Sequence, residues 1–244
     1  MISRLTLATL GAAALTVAVA AGAQEATSTS QAVGVPHRGS LRDGVQLQPG
    51  PGLRLLRRGG TQWGTEELIG LLGRAAARVD GEEPGGPPLV VGDLSRRRGG
   101  RLRPHHSHQS GLDADIGYYY EDRDAHPVAV DRFLRLSRER CARARAGLRC
   151  LAPERTFRLL AALLDDPVAR VQWVLLAFDL RESILAGGRA LRVEPEVLDR
   201  VTRATAHREG SESHRDHLHV RIYCPADDRP RCQDIGVRHP WYGD

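Results

Sequence analysis

The sequence predicts an α+β fold: a single domain with a central, antiparallel-rich sheet and flanking helices. Three observations predict it. Short strand-like runs and runs with helical spacing are mixed along the chain, without the regular βαβ alternation of a parallel-sheet protein. No internal repeat divides the sequence. At 244 residues, with ordinary apolar content, the chain is long enough to bury a real core.

The chain opens on a targeting segment. Arg4 precedes an apolar stretch, Leu5 to Ala21, and Ala21-Gly-Ala23 has the small residues of a cleavage site, so removal after Ala23 is expected. Residues 24–52, rich in Ser, Gly, Pro and Gln, read as a flexible leader that orders near Val45. The domain proper is assigned to residues 53–244. No later segment has the length and apolarity of a membrane span, so no stable membrane association is expected once the signal is gone.

Within the domain, Leu53 to Arg57 reads as a short strand. Leu68, Leu71, Leu72, Ala75, Ala76 and Val79 then recur at helical spacing, with Thr65 as N-cap and Glu66 and Glu67 in the first turn. This helix should end near Asp80-Gly81. Leu89 to Gly92 is a short buried strand, and Leu112 to Tyr120 alternates as another. Phe157, Leu160, Ala161 and Leu164 place a helix over Pro153 to Leu164. The apolar run Val171 to Phe178 suits a central strand, followed by helices at Asp179 to Ala186 and Pro195 to Ala206. From His217 to Tyr223 the pattern alternates: His217, His219 and Arg221 share one face, and Leu218, Val220 and Ile222 the other.

Charge and cysteine usage narrow the setting. The chain carries 35 arginines, no lysine and a net charge of +5, which favours an anionic environment. Nucleic acid is a poor fit, because the arginines are scattered, with one run at Arg96 to Arg98, and aromatic residues are few. Four cysteines, Cys141, Cys150, Cys224 and Cys232, allow three disulfide connectivities; the two sequence-local pairs are favoured, and they agree with export.

The chemistry concentrates in two places. Pro104 to Gly117 sets His105, His106 and His108 ahead of Asp113 and Asp115, and His214, His217 and His219 follow about a hundred residues later. Imidazole nitrogens with one carboxylate oxygen make a four-coordinate zinc site that keeps a position open for water. The His-x6-Asp spacing selects His108 and Asp115, and the alternating strand supplies the later His-x-His. An extended Leu112 to Ile116 is expected to turn Asp113 to the opposite face. His37, His106, His126, His207 and His239 are left as surface or hydrogen-bonded residues.

The segments around Trp63, Leu89 to Gly100, HHSHQSGLDADI from His105 and HRDHLHVRIYCP from His214 resemble the penicillin-insensitive murein endopeptidases over about Leu53 to Cys232. That family lies within a wider group of zinc peptidases that includes D-Ala-D-Ala peptidases and lysostaphin-like enzymes. The resemblance implies zinc on His108, Asp115 and His219, with His217 acting beside it. His105 and His214 match two further family histidines at the site border: His214 joins His217 as a catalytic residue, and His105 supports the site or holds a second metal. It also implies a Cys224–Cys232 disulfide. Two departures stand out. Ser213 replaces a usual glycine, and the family's additional aspartate-histidine pair has no counterpart, which argues against a second metal at His105.

The implied activity is hydrolysis of D-alanyl–meso-diaminopimelyl cross-links of peptidoglycan by metal-activated water, in a secreted, periplasmic enzyme. Two other readings are a zinc D-Ala-D-Ala carboxypeptidase and a non-catalytic wall-binding module with a structural metal. A pocket closed at one end would mark the first. Four protein ligands with no open position would mark the second.

Overall fold

A computed structural model describes residues 29–57, 59–207 and 211–243. The expected signal peptide, and the leader as far as residue 28, lie outside the described residues. The chain folds as the predicted α+β domain. Its main sheet has five strands in the order Val171–Leu175, Leu218–Ile222, Asp113–Ile116, Leu89–Val91 and Leu53–Leu55. Every neighbouring pair is antiparallel except Leu53–Leu55 with Leu89–Val91, which run parallel.

Helix α1, Glu66–Glu82, forms the crossover between the two parallel strands. The Thr65 side chain accepts a hydrogen bond from the Leu68 N–H at 3.4 Å, capping one of the helix's unpaired donors. All six apolar residues at helical spacing are buried. Three more helices, α2 (Pro153–Leu164), α3 (Phe178–Ala190) and α4 (Pro195–Ala204), follow in order. α2 and α3 approach closely because α3 carries Gly187 and Gly188 at the contact. A Cβ on Gly187 would lie 2.7 Å from the Pro153 carbonyl carbon, and one on Gly188 would lie 2.3 Å from the Phe157 ring.

The alternation of the two middle strands sorts polar from apolar. Ala114, Ile116, Leu218, Val220 and Ile222 join the core with residues of all four helices. Asp113, Asp115, His219 and Arg221 occupy the other face.

The structure departs from the sequence reading in three places. Val171–Leu175 is an edge strand and not a central one. The C-terminal segment covers its edge: the Tyr242 hydroxyl accepts from the Val171 N–H at 3.0 Å, and the Gln172 side chain donates to Ile235 and Val237 carbonyls at 2.8 and 3.2 Å. Leu112 to Tyr120 is likewise two elements. Asp113–Ile116 belongs to the main sheet, and Tyr120–Glu121 joins a four-stranded sheet with Pro127–Val128, Cys141–Ala144 and Gly147–Leu151. Tyr118, Tyr119 and Tyr120 are all buried.

The third departure is the leader. Gln31–Val35 and Arg38–Arg42 form an antiparallel hairpin packed on the domain. The Ala32 N–H donates to Asp228 Oδ2 and the Gly34 N–H to the Arg231 carbonyl, each at 2.8 Å. The leader therefore orders well before Val45. Both local disulfides form. Cys141–Cys150 joins directly opposed residues of a hairpin, and Cys224–Cys232 closes the loop that holds Asp228 and Arg231. Among the described residues no helix is long and apolar enough to cross a membrane.

Candidate metal centre

The site is built on register. In the antiparallel pairing of Leu218–Ile222 with Asp113–Ile116, His219 stands opposite Asp115 and Arg221 opposite Asp113. The loop before the Asp113 strand brings His108 in from the side, with φ at 66°, a left-handed conformation uncommon for a non-glycine residue. Such a conformation persists where its surroundings hold it. Here the His108 N–H donates to Asp113 Oδ2 at 3.4 Å, and its ring is buried.

Three atoms from distant parts of the chain converge. His108 Nε2, His219 Nδ1 and Asp115 Oδ1 are each 3.2 Å from the other two. A tetrahedral zinc ion with ligands at about 2.0–2.1 Å separates neighbouring ligand atoms by roughly 3.3–3.4 Å, so the donors match the span of such an ion. Asp115 Oδ1 is buried and makes no hydrogen bond, although imidazole nitrogens face it. A buried carboxylate oxygen is costly to leave unpaired, and a cation between these three donors would satisfy it.

The outward atoms of both rings fix which nitrogen faces inward. His108 Nδ1 donates to the Leu94 carbonyl at 2.5 Å, leaving the Nε2 lone pair toward Asp115. His219 Nε2 donates to Asp113 Oδ1 at 2.8 Å, leaving Nδ1 inward. Metal-binding histidines are characteristically oriented by such outer partners. Asp113 Oδ1 also accepts from Arg221 Nε at 2.7 Å. The expectation that Asp113 turns away is therefore corrected: residues two apart on a strand share a face, and Asp113 stands behind His219.

Electrostatics agree with a site for positive charge. Burial works to raise the Asp115 carboxyl, but His108 and His219 outweigh it and hold it well below the ordinary range. Burial likewise opposes ionisation of Asp113, and Arg221, His219 and His108 overcome it. Burial would lower His219, yet Asp113 and Asp115 push it up to about 9. The two carboxylates thus favour positive charge beside them.

The other histidines surround this core. His105, His108 and Asp115 also form a group that could hold a metal ion. His105 Nδ1, however, lies 3.4 Å from the second oxygen, Asp115 Oδ2, and its Nε2 hydrogen bonds to Asp93 at 3.1 Å. It is thus suspended between two carboxylates, and its bond to Asp93 raises its pKa. His217 Nε2 is 3.5 Å from Asp115 Oδ1, and its Nδ1 bonds to Asp216 at 2.7 Å. Phe133 stacks on the His217 ring with centroids 5.6 Å apart. The His214 ring lies 5.2 Å from that of His217 and 5.8 Å from that of His219. His106 stands apart, stacked on His37 with ring centroids 5.9 Å apart. His239 serves the fold, bonding to the Gln172 carbonyl at 2.8 Å.

Three site residues escaped the sequence reading, Asp93, Phe133 and Asp216, and Asp113 and Arg221 were named there without their partnering roles. Alternation was enough to find Asp113. Asp216 adjoins His217 in sequence. Asp93 and Phe133 reach the site only through tertiary structure.

The model of the penicillin-insensitive murein endopeptidase family matches residues 32–171. The match begins in the Gln31–Val35 strand, well before Leu53, and stops ahead of His214 to His219. It spans His105, His108, Asp113 and Asp115. A search of curated proteins finds no match. Because the matched residues make up more than half of the 244, the chain belongs to the penicillin-insensitive murein endopeptidase family.

Proposed function

We propose that this family member is a secreted, periplasmic zinc metallopeptidase that hydrolyses D-alanyl–meso-diaminopimelyl cross-links in peptidoglycan. The observation that carries the reading is the convergence of His108 Nε2, His219 Nδ1 and Asp115 Oδ1 at 3.2 Å around a buried oxygen without a hydrogen bond. These three residues would hold the ion, and their nitrogen-rich, mixed N/O donor set suits zinc. Bound zinc lowers the pKa of water toward neutrality and polarises a carbonyl.

The remaining steps belong to the protein's own side chains. His217 donates its Nδ1 proton to Asp216, so Nε2 faces the cluster as an acceptor. From there it takes a proton from the attacking water or, once protonated, donates to the developing oxyanion. The Phe133 stack restricts rotation of the ring. His214, beside both His217 and His219, borders the same space. His105 steadies Asp115 through Oδ2 and is itself anchored on Asp93, a supporting role rather than that of a second metal ligand.

Digestion of purified cross-linked muropeptide dimers, followed by mass analysis, tests the proposal. Conversion to monomers should continue in excess β-lactam, because no serine is acylated, and stop with phenanthroline until zinc is returned. Covalent labelling by the β-lactam with loss of activity would refute the mechanism. Release of D-Ala from pentapeptides with dimers intact would assign a carboxypeptidase. Binding of peptidoglycan without any cleavage would assign a wall-binding module.

A further inference from the structure

A groove of about 650 Å³ opens beside Phe133. Phe133, the residue stacked on His217, is one of its walls, so a molecule in the groove lies one aromatic ring from the histidine. The other walls are basic. Arg132, Arg135 and Arg143 line it against one acidic residue, Glu139. Among the described residues none of these arginines forms an ion pair. Arg135 donates a 3.4 Å hydrogen bond to the Glu212 carbonyl. Arg135 also lies near enough to help keep the Asp216 carboxyl ionised, after the hydrogen bond from His217. Three guanidinium groups lining one concavity with a single carboxylate favour an anion there.

We propose that this groove is the subsite for the carboxylate-bearing arm of the peptide substrate, with Arg132 and Arg143 as specificity-determining residues. The inference rests on the peptidase reading above and deepens it. An acidic stem peptide presents planar carboxylates, which guanidinium groups recognise in a bidentate manner. Phe133 links the two regions: its ring edge packs against Gly92, where a Cβ would lie 2.9 Å away, while its face rests on His217. A peptide arm in the groove would thus lie against the ring that backs His217.

Calorimetric binding of a monomeric tetrapeptide muropeptide tests the subsite without turnover, since that ligand has no cross-link. The wild-type enzyme should bind the form with free carboxylates roughly tenfold more tightly than the fully amidated form, the effect of two or three exposed charge-assisted contacts. An Arg132→Gln, Arg143→Gln double variant should bind both forms alike, and Arg143→Lys should recover part of the preference. On dimers the double variant should raise KM and leave kcat unchanged. Equal wild-type affinity for both forms, or a preference that survives in the double variant, would overturn the subsite. If dimers are not cleaved at all while the preference behaves as expected, the peptidase reading fails and the subsite stands.

Discussion

Asp113 offers the sharpest test of how the centre is held together. Its carboxylate takes no part in the triangle of donors, yet it accepts from His219 Nε2 at 2.8 Å and from Arg221 Nε at 2.7 Å, fully buried. Asp113→Asn preserves shape and one acceptor but removes the charge that makes His219 Nδ1 a strong donor. Loss of such an outer partner weakens metal binding by roughly 10- to 100-fold, or about 1.4–2.7 kcal/mol. Fold stability falls as well, because Arg221 loses its anion. Breaking a fully buried pair costs about 3–5 kcal/mol, and Arg221, with some solvent access, should cost less than that. Arg221→Gln separates the two effects: it should lower the melting temperature with a smaller change in affinity, since His219 keeps its carboxylate. Zinc competition against a chromophoric chelator reads affinity, and thermal unfolding in excess chelator reads stability. If Asp113→Asn melts lower but binds zinc like wild type, Asp113 only supports the fold, and the view that it tunes His219 is wrong.

Three further outcomes are expected. His217→Ala should keep its zinc and melting temperature and lose about a hundredfold in kcat, while metal loss would make His217 a ligand. Gly187→Ala gains about 1 kcal/mol of helix propensity, but its Cβ would meet the Pro153 backbone at 2.7 Å, so urea unfolding should show net destabilisation; a more stable variant would refute the tight α2–α3 contact. Asp228 is raised from 3.8 to about 6 by burial, so its contribution is full below pH 3.8 and is lost as pH rises through about 6. Asp228→Asn should match wild type near pH 4 and exceed it at pH 8 by at most about 3 kcal/mol, from a gap of about two pKa units, and parallel stability curves would refute the shift.

What could be read from the sequence was whatever has a local period. Thr65 and six apolar residues at helical spacing specify α1 because a helix buries one stripe. The face shared by His217, His219 and Arg221 was legible from strict alternation. The same rule, applied correctly, also gives Asp113, two residues before Asp115. The edge position of Val171–Leu175 was hidden because its cover comes from residues 235–242, some sixty to seventy positions later. The Gln31–Arg42 hairpin was hidden for the same reason: its anchors, Asp228 and Arg231, are nearly two hundred residues away. A polar, glycine-containing stretch gives no sign of partners at that distance.

The position of Leu218–Ile222 has a consequence for when the protein becomes active. The last strand among the described residues fills the second place in the sheet, between Asp113–Ile116 and Val171–Leu175. Until it inserts, those two strands have no common neighbour, Asp115 has no His219 opposite it, and the core lacks Leu218, Val220 and Ile222. A chain made from its N-terminus therefore cannot assemble the donor triangle until residue 219 has been delivered. Closure over such long sequence separations is slow relative to helix formation. The order of the strands acts as a built-in delay: the donors of the candidate centre cannot meet before this late strand has entered the sheet.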